Sequence, residues 1–312
     1  MDMILLGLNV VIPLFVIMVL GYITRRAGII NEKGIGQVNR LLFWVFLPAI
    51  LFVSVYETDL RSVFDIKIIL YSLIGTTVVY LLSFIIVPRL TSRRNKNGVI
   101  IQALIRGNEV YFGFPVVVTL IGAQHLGLMA IVVAFAVIMY NGYSVIALEY
   151  YKGDKVNKGR LLKNLFTNPL IIATVVSSIF VLLNIIIPKM IMSGFSLLAS
   201  VASPLALFLL GASFTFSSAR KYIKDIFWVT LFRLIIIPAV VVITTMAMGF
   251  SNIGIVILYV TFGVPTSVSS YSMAMELQAD HELAGQLVVF TSLFSILSVF
   301  LFTILLQTLG IV

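Results

Sequence analysis

The chain of 312 residues has no cysteine and two histidines. Disulfides, thiolate metal sites and cysteine nucleophiles are excluded, and a histidine proton relay has little to draw on. Charge is scarce as well, at 11% of residues against roughly 25% in a soluble domain. Apolar residues make up 61%, so a soluble globule is excluded. What charge there is leans one way, 21 Lys+Arg against 12 Asp+Glu for a net +9. In a soluble protein that balance would point to nucleic acid. Here the placement of the bases around apolar runs accounts for it, and no nucleic-acid partner is expected. There is no GxxxxGK[ST] loop, no GxSxG and no HExxH, so neither ATP-driven work by this chain alone nor hydrolase chemistry is expected, and no cofactor is implied. The first apolar run begins after Asp2 without a basic n-region or a small-residue cleavage site. It reads as a retained helix and not as a signal peptide.

What the chain does have is long apolar runs. A hydrocarbon core of about 30 Å takes roughly 20 apolar residues per helix. Between charge and turn clusters ten spans can be read: Met3–Ile23, Val38–Tyr56, Ile66–Val87, Val99–Ile121, Leu126–Tyr150, Pro169–Ile187, Phe195–Phe216, Ile226–Met248, Ile253–Leu277 and Leu283–Leu306. A membrane barrel would instead alternate over about ten residues per strand. The expected fold is an all-α polytopic bundle with the lipid bilayer as its solvent.

Orientation follows from the bases, which are retained on the cytoplasmic side near short loops. One set of loops carries Arg25, Arg26, Lys33, Arg40, Arg89, Arg93, Arg94, Lys96, Lys152, Lys155, Lys158, Arg160, Lys163, Arg220, Lys221 and Lys224. The other carries only Arg61, Lys67 and Lys189, alongside Glu57, Asp59 and Asp65. Both termini are therefore expected outside the cytoplasmic membrane. The loop with Asp280, His281 and Glu282 has no base and is an exception.

With five spans per half, two similar halves would have to insert in opposite directions. Pro13 and Pro48 recur as Pro169 and Pro204 at an offset of 156 residues, and Pro88, Gly113 and Pro115 recur as Pro238, Gly263 and Pro265 at an offset of 150. This predicts inverted repeats over 1–150 and 151–312. Gly107, Gly113 and Pro115 interrupt the fourth span, and Gly263 and Pro265 the ninth. Backbone groups freed there cost several kcal/mol in lipid unless protein or a wet cavity satisfies them. Paired breaks in corresponding spans point to a binding site near the midplane, with simple kinks as the alternative.

The fourth span also carries Arg106, Asn108 and Glu109, roughly 10–15 Å from its cytoplasmic end at 1.5 Å per residue. Arg106 and Glu109 share a face if the helix is intact. Arg233, at similar depth on the eighth span, competes for the same carboxylate, which leaves one guanidinium for an anion. Alternatively either arginine snorkels to the cytosol. After Pro265 come Thr266, Ser267, Ser269, Ser270 and Ser272, donors suited to a carboxylate beside a half-helix N-terminus, or small residues for close helix packing. Asn9, Asn39, Asn141 and Asn184 are weaker candidates.

The segment RGNEVYFGFP, with Asn108, Gly113 and Pro115, resembles the break in the fourth helix of the auxin efflux carrier family. Residues 263–300, with the proline break and Ala274-x-Glu276, resemble its ninth and tenth helices, and residues 12–52 its first two. The resemblance spans essentially the whole chain, and it implies two inverted five-helix repeats, as in sodium/proton antiporters and bile acid symporters. It further implies a scaffold of spans 1, 2, 6 and 7, a moving crossover domain of spans 3–5 and 8–10, and a homodimer through the scaffold. The expected activity is secondary transport of a small organic anion, a mono- or dicarboxylate such as malate or malonate or an auxin-like acid, by alternating access. Arg106 or Arg233 would neutralise the anion, and Asn108, Gly113, Pro115, Pro265, Thr266, Ser267, Ser269 and Ser270 would form the site. Glu109, where the plant carriers have a small polar residue, would be the proton-coupling group. The rival is sodium coupling, with Asn108, Glu109 and Ser267 as ligands.

Overall fold

The computed structural model describes residues 2–57, 65–91, 93–152, 159, 163 and 166–312, with residues 2–10 described by backbone alone. Asp59 and Arg61 of one loop, Lys155, Lys158 and Arg160 of another, and the side chain of Asn9 lie outside the described residues. The helices are α1 (Asp2–Arg26), α2 (Glu32–Leu41), α3 (Leu47–Tyr56), α4 (Ile66–Leu90), α5 (Arg94–Ile105), α6 (Phe114–Ile121), α7 (Leu126–Tyr151) and α8 (Pro169–Leu182). They continue with α9 (Lys189–Ser213), α10 (Phe216–Lys221), α11 (Ile223–Leu231), α12 (Ile237–Ala247), α13 (Asn252–Gly263), α14 (Ser269–Glu276) and α15 (His281–Thr308). Among the described residues the only extended pairing is an isolated bridge, Gly107 to Thr266. Among the described residues six helical stretches are long and apolar enough to cross a bilayer, and shorter apolar helices accompany them. The chain is a polytopic all-helical membrane protein.

Polar residues set the helix starts. Asn31, Asp65, Asn168, Ser251 and Asp280 each accept a hydrogen bond from a backbone N–H of the following turn, satisfying donors that a helix N-terminus leaves free. Prolines set the irregularities. Three π-turns, Leu42–Phe46, Glu109–Gly113 and Phe232–Ile236, each end two residues before a proline, at Pro48, Pro115 and Pro238. A proline has no N–H and its ring crowds the carbonyl one turn back, and widening that turn relieves both.

That explains one difference from expectation. The fourth span does not break at Gly113 and Pro115, because the π-turn absorbs the proline in the first turn of α6. It breaks earlier, where α5 ends at Ile105, Arg106 is extended (φ −98°, ψ 107°) and Asn108 is non-helical (φ −100°, ψ 62°). The intact helix that would set Arg106 and Glu109 on one face is therefore absent. The ninth span breaks at Pro265 as expected, between α13 and α14. The sixth and seventh spans divide differently too: α8 stops at Leu182, followed by Asn184 at φ 52°, and α9 starts at Lys189. A left-handed asparagine is a common helix terminator.

Packing joins α1 to α9 and α3 to α8 and α9, while α5 packs on α4 and α7, and α12 on α13. Gly21 and Gly211 sit at the α1–α9 contact, where a Cβ on either would overlap the backbone of the other helix, at Phe208 and Met18 respectively. Such close approach is how membrane helices gain packing energy without a hydrophobic driving force. The buried side chains form two apolar cores. One contains Ile105 and Val268, the other Phe112 and Val264. Both helix breaks thus lie on the seam between the cores.

Candidate functional site

Ending two helices inside an apolar bundle frees carbonyls, and several of them find partners from the opposite break or from a nearby helix. Asn108 N–H donates to Pro265 O (2.8 Å) and Ser267 N–H to Arg106 O (3.1 Å). The Thr266 hydroxyl donates to Ala103 O (3.1 Å), and Thr266 N–H donates to the Thr291 hydroxyl (3.1 Å). Arg233 closes the set, with Nε donating to Val264 O (2.9 Å) and Nη1 to Leu104 O (2.8 Å). The crossing is a hydrogen-bonded unit, which meets the requirement that irregular backbone at this depth be satisfied by protein.

Gly107 lies at its centre. A Cβ there would collide with Arg233 Nη2, Glu109 Oε1 and Val264. Neither Nη2 of Arg233 nor Oε1 of Glu109 has a hydrogen-bond partner, and the Asn108 amide nitrogen is likewise unsatisfied. Glu109 interacts electrostatically with Arg106 and Arg233 and faces Tyr140. Arg106 Nη1 donates instead to Asn141 Oδ1 (2.8 Å).

A cavity of about 510 Å³ reaches this crossing, within the usual range for a small-molecule site. Glu57, Leu126 and Gly127 line it at helix ends, Leu51, Val110, Phe114, Val133 and Val137 give it apolar walls, and Arg106, Gly107, Asn108, Glu109, Asn141, Ser267 and Ser269, around the crossing, give it a polar floor. The Ser267 and Ser269 hydroxyls hydrogen-bond each other at 2.9 Å. A cationic, hydroxyl-rich floor under apolar walls is suited to a carboxylate with a small organic body. Hydrogen bonds also tie α14 to α2, to the π-turn after it and to α9. Asn39 donates to Ser272 O (3.2 Å), Trp44 to Glu276 (2.9 Å), and Ser213 hydrogen-bonds Tyr271.

Of the residues singled out in the sequence, Arg106, Asn108, Glu109, Ser267 and Ser269 line the cavity. Thr266 and Pro265 belong to the crossing behind it, Ser270 is buried with its hydroxyl unpartnered, and Gly113 and Pro115 lie in the helical run that follows the break. Arg233 is off the cavity wall and wholly buried, held by two helix-end carbonyls, so it does not snorkel. Four of the backbone amides after Pro265 are bonded within the protein. Those of Thr266 and Ser267 are used at the crossing, and those of Ser270 and Tyr271 bond to Ser267 O and Val268 O. Sequence reasoning gave no role to Tyr140, Thr291 or Ser203, and ranked Asn141 low. Their signal was a polar side chain in an otherwise apolar helix.

Two broken helices crossing inside the bundle, beside a cavity that reaches them, are the arrangement of a transporter-like membrane protein. Residues 7–303 match the family model described as "Membrane transport protein". The chain belongs to that family, the one its motifs place with the auxin efflux carriers. It is 22% identical to an "Uncharacterized transporter" of Methanothermobacter thermautotrophicus, over 95% of this chain and 97% of the relative. It is 26% identical to the "Uncharacterized transporter YfdV" of Escherichia coli K12, over 84% and 86%. A third relative, the "Putative malonate transporter" of Rhizobium meliloti, is 22% identical over 93% of each chain. The family and these relatives are transporters and not enzymes.

Proposed function

We propose that the chain is a secondary transporter that carries a small organic anion across the cytoplasmic membrane by alternating access. The observation that carries this reading is that Arg106 lines a cavity at the crossing of two broken helices. Arg106, oriented by Asn141, neutralises the carboxylate. Asn108, Ser267 and Ser269 supply hydrogen bonds from side chains left facing the cavity. The apolar walls take the body of the acid, and the relative named for malonate is consistent with a short one.

In this reading the chain is two inverted repeats, 1–150 and 151–312. Helices α1–α3, α8 and α9 form the scaffold, and the crossover domain consists of α4–α7 and α11–α15. The groups pack mainly within themselves, which supports the division. Both termini lie outside, so the cavity opens outward through its Glu57 end and the closure at Asn39, Trp44 and Glu276 faces the cytoplasm. Glu109 is the proton-coupling group, buried on the cavity floor beside two guanidinium groups. Those same cations make Asn108, Glu109 and Ser267 a poor cradle for sodium, by like-charge repulsion at low dielectric.

The test is counterflow of radiolabelled malonate, malate and indole-3-acetate in proteoliposomes, with and without a pH or sodium gradient. Saturable exchange stimulated by a pH gradient and lost in Asn108→Ala is the expected result. Stimulation by sodium alone would replace the proton with sodium, and no exchange of any acid by folded protein would remove the anion assignment.

A further inference from the structure

Two guanidinium groups and one carboxylate meet at the crossing, and the geometry gives the two arginines different surroundings. Arg106 reaches the cavity and is held from the side by Asn141. Arg233 has no exposed surface, and its Nε and Nη1 are committed to Val264 O and Leu104 O. These two carbonyls lie at the C-terminal ends of α13 and α5, where helix dipoles place partial negative charge. The remaining nitrogen, Nη2, has no partner, and neither has Glu109 Oε1. Both atoms press on the same side of Gly107, in the space that a Cβ would take.

We infer that Arg233 is a positioning residue of the transport cycle: it fastens the two broken helices to each other and is the fixed counter-charge of Glu109, leaving Arg106 for the transported anion. The inference rests on the anion-carrier reading and extends it. A buried carboxylate requires a buried cation or it does not stay charged. If Arg106 alone supplied that cation, the substrate would have to compete with Glu109 for it. With Arg233 in place the cluster of Arg106, Arg233 and ionised Glu109 carries one net positive charge, located at the one arginine that a solute can reach. Glyless crowding at position 107 would push Nη2 and Oε1 apart, so the glycine is part of the same device. Pro238 contributes by inducing the π-turn that carries Arg233. The groups facing Glu109 are Arg106 from the end of α5, Tyr140 from α7 and Arg233 from the π-turn before α12.

Two measurements test this. The first is a double-mutant cycle on thermal unfolding of the purified full-length protein in detergent, with Arg233→Gln, Glu109→Gln and the pair. Arg233→Gln lowers the midpoint, and adding Glu109→Gln restores at least about half of the loss, since the stranded carboxylate is gone. Additive losses would overturn the counter-charge. Should Arg233→Gln alone not fold, Arg233→Lys replaces it. That variant keeps the charge and folds, whereas failure equal to that of Arg233→Gln would show that charge is not what the site needs. The second is counterflow of radiolabelled malonate, malate and indole-3-acetate. Arg233→Lys leaves KM for the exchanged acid within about twofold and lowers the maximal rate, whereas Arg106→Lys raises KM on the order of tenfold. An equal rise in KM for both would make Arg233 an anion ligand and end the proposal. If no acid exchanges even in the unsubstituted protein, the carrier reading fails while the unfolding cycle still decides the pairing.

Discussion

The backbone N–H of Asn108 donates to the carbonyl of Pro265 at 2.8 Å, so a residue of one break satisfies the residue that causes the other. Separating the breaks would strand donors and acceptors at low dielectric, at several kcal/mol each. The crossing is therefore held together as a unit, and the residues that hold it can be distinguished experimentally from those that face the cavity.

Gly107→Ala places a methyl group against Arg233, Glu109 and Val264. Overpacking of this kind costs about 1–3 kcal/mol. A lowered unfolding midpoint in detergent, together with reduced uptake, is expected, and a midpoint equal to that of the unsubstituted protein would mean that the arginine and glutamate have room to move aside.

Thr266→Val removes the hydroxyl that donates to Ala103 O and leaves that carbonyl buried and unpaired, at a cost of about 1–3 kcal/mol. Thr266→Ser retains the donor. Guanidinium unfolding of both variants should rank Ser above Val, and equal stability would remove this bond from the energetics of the crossing.

Asn141→Ala leaves Arg106 Nη1 with only its weak contact to Met273 Sδ (3.6 Å). A hydrogen bond to a charged group contributes about 1.5–3 kcal/mol. Counterflow should show KM raised by roughly tenfold or more, with a smaller effect on maximal rate, because the guanidinium loses its orientation and keeps its charge. An unchanged KM would show that Arg106 is positioned by its backbone alone.

The absence of cysteine makes the chain its own labelling background. Ser203→Cys, on the cavity wall, should react in intact cells with a membrane-impermeant maleimide added outside, while Ser272→Cys, buried on the closed side, should not. Reaction of Ser272→Cys alone would invert the orientation assigned to the cavity.

The apolar runs were legible because bilayer thickness fixes helix length, and most ends fell within a few residues of charge or cap residues such as Asp65 and Ser251. The ninth break was legible because Pro265 lies in it. The fourth was legible at Gly107, which lies in it, but not at Gly113 and Pro115, since a proline reports a missing donor but not how the chain absorbs it, and a π-turn absorbed this one. The break at Arg106–Asn108 depends on partners supplied by Thr266, Pro265 and Arg233, which no local pattern reveals. For the same reason the sequence showed the depth of Arg233 but not the carbonyls it holds. The base-free loop at Asp280–Glu282 also has a spatial explanation. Tyr222 donates to Asp280 (2.9 Å) and Lys221 pairs with Glu282 (3.1 Å), so the positive charge of that surface comes from the preceding loop.

The depth of the cavity has an electrical consequence. In the outward-open arrangement proposed above, solution that follows the cavity to Arg106 carries the outside potential with it, so the membrane voltage falls mainly across the stretch between the crossing and Trp44. A charge crossing that stretch works against nearly the whole field, about 2.3 kcal/mol per elementary charge at 100 mV. A cycle in which a monovalent anion and a proton cross together would be indifferent to voltage, whereas one that moves an anion alone, or a dianion with a single proton, would be driven outward by an inside-negative membrane.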